Sequence, residues 1–317
     1  GGILVVGHNN ALGTASGSKG TVVAANASVA VAQGVNIPEA LSINGFGPND
    51  TGALRMILNP NLPNSPSTWS GPITMGGQSS IDVETNGQLT ISGVISASVG
   101  SINPGLSKIG SGRLALTGTN TYPGLTIVNA GELAINGTQN QSHVRLRGGT
   151  LAGTGSVADI VSENISGYRL SPGNNGTNNG VGKLSAKGRF VLDSNATFDV
   201  QINGTSLGTQ LDNVDIVGTV TLNNATLSAS MLPGFASSVG SKYQIITNGG
   251  TDAVVGTFNG LAEGATLTIN GQAFTITYKG GTGNDVVLTH INTPADFRDR
   301  SITTVVGENG LVTLKGT

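Results

Sequence analysis

The sequence predicts an all-β protein, a stacked parallel β-helix (β-solenoid) with a β-rich C-terminal cap. Three observations predict it. Charged residues make up 10% of the 317 and Gly accounts for 50 of them, where an ordinary soluble domain carries roughly 25% charge. A short Gly-bounded phrase returns through the first half of the chain. No segment keeps an apolar i, i+3, i+4, i+7 stripe over roughly ten residues without Gly or Pro, which removes long helices.

The repeated phrase is Gly-x-Leu-x-x-x-Gly. It reads Gly87-Gln-Leu-Thr-Ile-Ser-Gly93, Gly112-Arg-Leu-Ala-Leu-Thr-Gly118 and Gly131-Glu-Leu-Ala-Ile-Asn-Gly137, with looser copies at Gly149-Thr-Leu-Ala-Gly-Thr-Gly155 and Gly182-Lys-Leu-Ser-Ala-Lys-Gly188. The first four begin at 87, 112, 131 and 149, that is 25, 19 and 18 residues apart. Within each phrase, Leu and the residue two positions on share one face, because strand side chains alternate. The flanking glycines supply corners with φ > 0. A unit of this length, holding two or three short strands, is one rung of a parallel β-helix. No rung can bury its inward Leu, Ile and Val alone, so rungs must stack, about 4.8 Å apart.

Residues 1–180 read as solenoid repeats. From 181 to 292 the strands lengthen, as in Ala196-Thr-Phe-Asp-Val-Gln-Ile202, and Phe258, Phe274 and Tyr278 cluster. This part reads as a solenoid continuation or a β-rich cap, which an open stack needs. Residues 293–317 read as a charged linker, Thr293-Pro-Ala-Asp-Phe-Arg-Asp-Arg300, and a terminal strand pair over 301–306 and 311–314. Two excursions interrupt the rhythm, the Pro-rich Asn59–Ser67, just before the single tryptophan Trp69, and the Asn/Gly-rich Ser171–Gly180.

Composition also excludes functions. A net charge of −2 offers no surface for nucleic acid. No apolar run reaches the ~18 residues of a membrane-spanning helix. The absence of Cys removes thiol catalysis, Cys-based metal sites and disulfides. The first residues, Gly1-Gly-Ile-Leu-Val-Val6, show no signal peptide, so the numbering is expected to start at a processed terminus or inside a longer product.

The stretch Gly110–Gly137, with Gly110-Ser-Gly-Arg-Leu-Ala-Leu-Thr-Gly118 and Ala130-Gly-Glu-Leu-Ala-Ile-Asn-Gly137, resembles the autotransporter-associated β-strand repeat of large bacterial surface proteins. So do Leu4-Val-Val-Gly-His-Asn-Asn-Ala-Leu-Gly-Thr14 and the closing segment from Leu170-Ser-Pro-Gly173 to Tyr278-Lys-Gly-Gly-Thr-Gly-Asn-Asp-Val-Val-Leu-Thr289. The resemblance implies a right-handed parallel β-helix exported across the bacterial envelope, with no catalytic residues. Residues 293–317 do not read as the start of a membrane β-barrel, which would repeat ~10-residue alternating strands.

Candidate chemistry is sparse. Gly280-Gly-Thr-Gly-Asn-Asp-Val-Val-Leu288 fits one copy of the calcium-binding nonapeptide of RTX β-rolls, making Asp285 the single metal candidate against a structural turn. The acid pairs Asp82/Glu84, Asp212/Asp215 and Asp296/Asp299 could serve sugar chemistry. Asp82 and Glu84 share a strand face but have no cation in their own phrase, which favours solvent-facing decoration, and Asp212 reads as turn chemistry. His8, His143 and His290 stand far apart and read as surface or turn residues. Asn-x-Ser/Thr sequons at Asn26, Asn49, Asn136, Asn164, Asn195, Asn203 and Asn224 follow from composition, with Asn suited to corners.

The expected function is that of an extracellular or bacterial cell-surface structural or adhesive protein, with no enzymatic activity and no cofactor. Its expected partners are further copies of itself, giving a head-to-tail fibre, and surface glycans or a neighbouring cell surface. Exposed rung edges recruit strands, which makes Ile3, Leu4, Val5, Val6, Val305, Val306, Leu311 and Leu314 the assembly candidates. The alternative is a carbohydrate-active β-helix enzyme of polysaccharide lyase or glycoside hydrolase type. It requires Asp, Glu, Lys or Arg from adjacent rungs to converge in one groove.

Overall fold

In the computed structural model, which describes residues 1–13, 20–163, 165, 167–173, 180–292, 303–306 and 312–315, short strands stack into three parallel ladders around one core. The fold is a parallel β-solenoid. The first face runs without a break through eleven strands, from Ile3–Val6 to Val255–Thr257. The second holds nine, from Asn36–Ile37 to Thr226–Met231. The third runs parallel from Thr138–Gln139 to Lys242–Asn248. Earlier in the chain that side is built by Thr21–Val22, Leu41–Gly45, the first part of Ile73–Val83 and Ile95–Ala97. Hydrogen bonds from Thr121 N to Ile95 O and from Asn120 N to Thr138 O carry the ladder on.

The strands form where the sequence alternates. Ala196–Ile202 buries every second residue, and its Phe198, Val200 and Ile202 join the core. On the second face the phrase leucines stand in one inward column, Leu89, Leu114, Leu133 and Leu151 in direct register. The column continues through Leu170 and Phe198. Each fully buried Leu contributes roughly 1.5–3 kcal/mol relative to exposure. Corners are tight: Gly131 and Gly149 take φ of 65° and 62°, and a Cβ on Gly149 would run into the backbone of Gly131.

One phrase is on another face than its sequence implies. Lys183–Ala186, within Gly182–Gly188, belongs to the third face, where Leu184 pairs with Val214. The second-face strand that follows Leu151 is Tyr168–Pro172.

Parallel stacking ends at Lys242–Asn248. Asp285–Ile291 adds to it antiparallel, followed by Gln272–Gly280 and Thr266–Ile269. This antiparallel cap is packed with rings. Phe258 stacks on Phe198 of the second face at 6.0 Å, and Tyr243 meets Phe274 edge-on at 6.0 Å. Tyr278 donates its hydroxyl proton to Leu261 O at 2.6 Å and accepts from Phe258 N at 3.0 Å. Burial pushes that hydroxyl up to about 12. Thr303–Val306 and Val312–Lys315 pair antiparallel in a separate hairpin. Residues 293–300, the charged linker, lie outside the described residues.

Candidate functional site

Among the described residues the first strand, Ile3–Val6, pairs on one side only, with Ser28–Ala32. Ile3, Leu4 and Val5 are therefore 49%, 51% and 58% exposed. Val6 is a correction: it points inward over Val31 and is 1% exposed, so it belongs to the core and not to an assembly surface. Ile3, Leu4, Val22, Val23 and Val29 line an open cavity of about 340 Å³ at this end. At the other end the cap covers the stack. Asn270 Oδ1 accepts from Met231 N, and Leu227 and Ala229 pack with Leu267 against the core. The two ends thus differ, one an open strand edge and the other capped. Val305, Val306 and Leu314 fall in the separate hairpin, and Leu311 lies outside the described residues.

Stacking brings together charges that are far apart in sequence. Arg55 pairs in register with Asp82, its Nε 3.4 Å from Oδ2, and its Nη2 is 3.9 Å from Glu84 Oε1. Glu84 Oε2 accepts from Leu58 N at 2.9 Å. Asp82 and Glu84 are therefore not isolated decoration: Arg55 holds both, and Glu84 lines a shallow groove with Leu58 and Pro60. Burial raises the Asp82 carboxyl above its usual range, with Arg55 opposing it. Sequence reading missed the cation because it lies one rung earlier.

Lys108 was missed as well. It occupies an inward position between Ile81 and Val128 and is completely buried. Its Nζ donates to Ile109 O at 2.8 Å, Gly110 O at 2.7 Å and Ala130 O at 3.2 Å. Burial holds its ammonium down to about 8, against the pull of Asp82 and Glu132. The next rung buries a hydroxyl network. Tyr122 Oη and Thr126 Oγ1 are 2.7 Å apart, Thr126 Oγ1 is 2.7 Å from Ser142 Oγ, and Gln139 Nε2 donates to Thr126 Oγ1 at 3.2 Å. Alternation within Leu106–Ile109 was the available signal, since Lys108 shares parity with Leu106.

The remaining candidates are structural in their contacts. Asp159 lies 2.9 Å from His143 Nδ1 and accepts from Arg189 N at 2.8 Å. Burial would raise its carboxyl, but the Arg189 donors and His143 outweigh it and hold it below the usual range. His290 is buried in the cap, stacked on Phe274 at 4.9 Å. His8 accepts from Asn10 N in a surface turn. Asp212 is buried and takes Gly182 N and Gln201 N on its two oxygens at 2.8 Å each; burial pushes it up to about 7 despite these donors, and Asp199 adds to the rise. Asp215 pairs with Lys183 at 3.1 Å. Asp285 accepts from Asn248 N at 2.7 Å and Thr282 N at 3.1 Å, tying its turn to the third face. Asp296, Asp299 and Asn164 lie outside the described residues. Among the described residues no three His, Cys, Asp or Glu side chains converge as a metal cluster, and no helix is long and apolar enough to cross a membrane.

No curated protein matches the chain. A family model does match part of it, over residues 106–135, which begin at the strand carrying Lys108 and end on the second face at Ile135. The matching model is the passenger-associated-transport-repeat, in agreement with the autotransporter-type resemblance of this segment's sequence.

Proposed function

We propose that the chain is the elongated shaft of a passenger-type protein at the bacterial surface, with a structural or adhesive role and no catalytic one. The observation that carries this reading is the unbroken first face. Eleven parallel strands at about 4.8 Å per step give a stack roughly 50 Å long, with the passenger repeat inside it. Many of its surface charges bridge neighbouring rungs, as Arg113 does to Glu132 at 2.8 Å and Arg147 to Glu163 at 2.5 Å. Such pairs hold register more than they attract small ligands.

Self-association belongs, in this proposal, to the free edge of Ile3–Val6, where a further strand can add. The capped end is not its partner. Surface glycans or a neighbouring cell are the proposed partners of the lateral faces. The cluster of Arg55, Asp82 and Glu84 is a place that favours the carbohydrate-active alternative, but Arg55 pairs with both acids and Leu58 N with Glu84.

Antibody labelling and protease shaving of intact producing cells test the reading. Labelling and cleavage without permeabilisation are expected. Signal only after the envelope is opened would overturn it, and release of reducing or unsaturated sugar ends from polysaccharides by the purified chain would replace it with the enzymatic alternative.

A further inference from the structure

We propose that the cap contains a weak calcium site, in the cavity between the loop 248–253 and the turn 281–285. This cavity of about 640 Å³ is lined by Gln244, Thr247, Asn248, Asn284 and Asp285 with flanking glycines. Each side-chain amide in its wall is anchored to the protein through its NH2 group. Gln244 Nε2 donates to Thr247 Oγ1 at 2.9 Å, Asn248 Nδ2 to Asp252 O at 2.8 Å, and Asn284 Nδ2 to Gly250 O at 2.8 Å and Asp252 O at 3.1 Å.

One amide oxygen in this wall has no partner. Asn248 is 1% exposed, and its Oδ1 is buried with no hydrogen-bond partner. Exchanging its amide atoms would set that oxygen against Asp252 O, so the orientation is fixed by the Nδ2 bond. A buried acceptor without a donor is costly and rare. The backbone N–H of the same residue touches Asp285 Oδ1, so the free amide oxygen and the carboxylate belong to adjoining walls. Each Asp285 oxygen accepts one backbone N–H and keeps a lone pair.

An unpartnered amide oxygen beside a carboxylate in a polar cavity fits a hard cation. Calcium accepts amide, carbonyl and carboxylate oxygens together in irregular geometry, whereas magnesium demands a near-octahedral set. With few carboxylates the affinity belongs to the weak range of extracellular modules, about 0.1–1 mM. The bound ion would join the loop 248–253 to the turn 281–285, and so brace the cap. The site belongs to the cap alone and does not depend on surface display.

The test uses the full chain, stripped on a chelating resin and titrated with calcium chloride, with magnesium chloride and sodium chloride at matched ionic strength. Melting temperature and equilibrium dialysis with radioactive calcium are read together. Calcium is expected to raise the melting temperature with a midpoint of about 0.1–1 mM, magnesium much less. Asn248→Ala is expected to weaken binding about tenfold or more, and Asn248→Asp, which keeps an oxygen and adds charge, to retain it. A wild-type chain that neither binds calcium in dialysis nor melts higher with it overturns the site, whatever the variants do. So does an equal response to magnesium, or an unchanged calcium response in Asn248→Ala.

Discussion

Lys108 Nζ lies 3.2 Å from the carbonyl oxygen of Ala130, in the next rung. The lysine stands in an inward column otherwise held by Ile81 and Val128. Three carbonyls compensate an ammonium that the core would otherwise reject, and they belong to corners of two successive rungs. Removing the side chain leaves those oxygens without a donor and opens a void. Lys108→Ala should therefore destabilise the chain by about 2–5 kcal/mol in denaturant titration.

The same residue sets an alkaline signature. Its pKa falls from 10.5 to about 8 on folding, so between those values the unfolded chain binds more protons. Stability attributable to Lys108 then rises with pH from 8 to 10, by at most roughly 3 kcal/mol. Melting curves of Lys108→Met, which cannot titrate, should lack that rise. An identical slope in both proteins would refute the assignment.

Asp212 gives the opposite slope at acid pH. Its carboxyl moves from 3.8 to about 7 on folding, so the folded chain binds the extra proton. The stabilisation is complete below pH 4 and is lost as pH rises towards 7. Wild type should melt higher at pH 5.5 than at pH 7.5, with a smaller difference in Asp212→Asn.

Core positions in the middle of the stack should respond strongly. Leu133 is fully buried between Leu114 and Leu151. Leu133→Ala is expected to lose about 2–5 kcal/mol, and hydrogen exchange should speed up most in the adjoining rungs, because each rung contacts only its neighbours.

End-to-end association should depend on the first strand. Val5→Lys adds a charge to a flat, charge-free edge, a substitution that blocks strand addition. Sedimentation at high concentration should show association of wild type reduced to monomer in the variant. Association unchanged by Val5→Lys would move the contact elsewhere.

The repeat was legible because Gly-x-Leu-x-x-x-Gly marks a corner, an inward Leu and a second corner. It located the second-face column from Leu89 to Leu151. It failed at Gly182–Gly188, where the same spacing falls on the third face. The rungs had widened, so that Leu170 is followed in register by Phe198 and then Leu227. Charge partners were hidden for a related reason. Arg55 reaches Asp82 across a register that the linear order does not display. Lys108 was legible by parity alone, but a charged residue in a strand is read outward by habit. The unpartnered Asn248 Oδ1 has no sequence signal at all, since it depends on where two loops meet.

The claim beneath all of these is that successive repeats stack in parallel register. The chain has no cysteine, so an introduced pair is free of competition. Thr150 and Arg169 are direct partners on the outer side of the second face, and at about 4.8 Å between strands their Cα atoms suit a disulfide. Thr150→Cys/Arg169→Cys should form an intramolecular disulfide in the native chain, while Thr150→Cys/Leu170→Cys, with one residue outward and the other in the core, should not. A bond in the second pair, or in neither, would contradict the register.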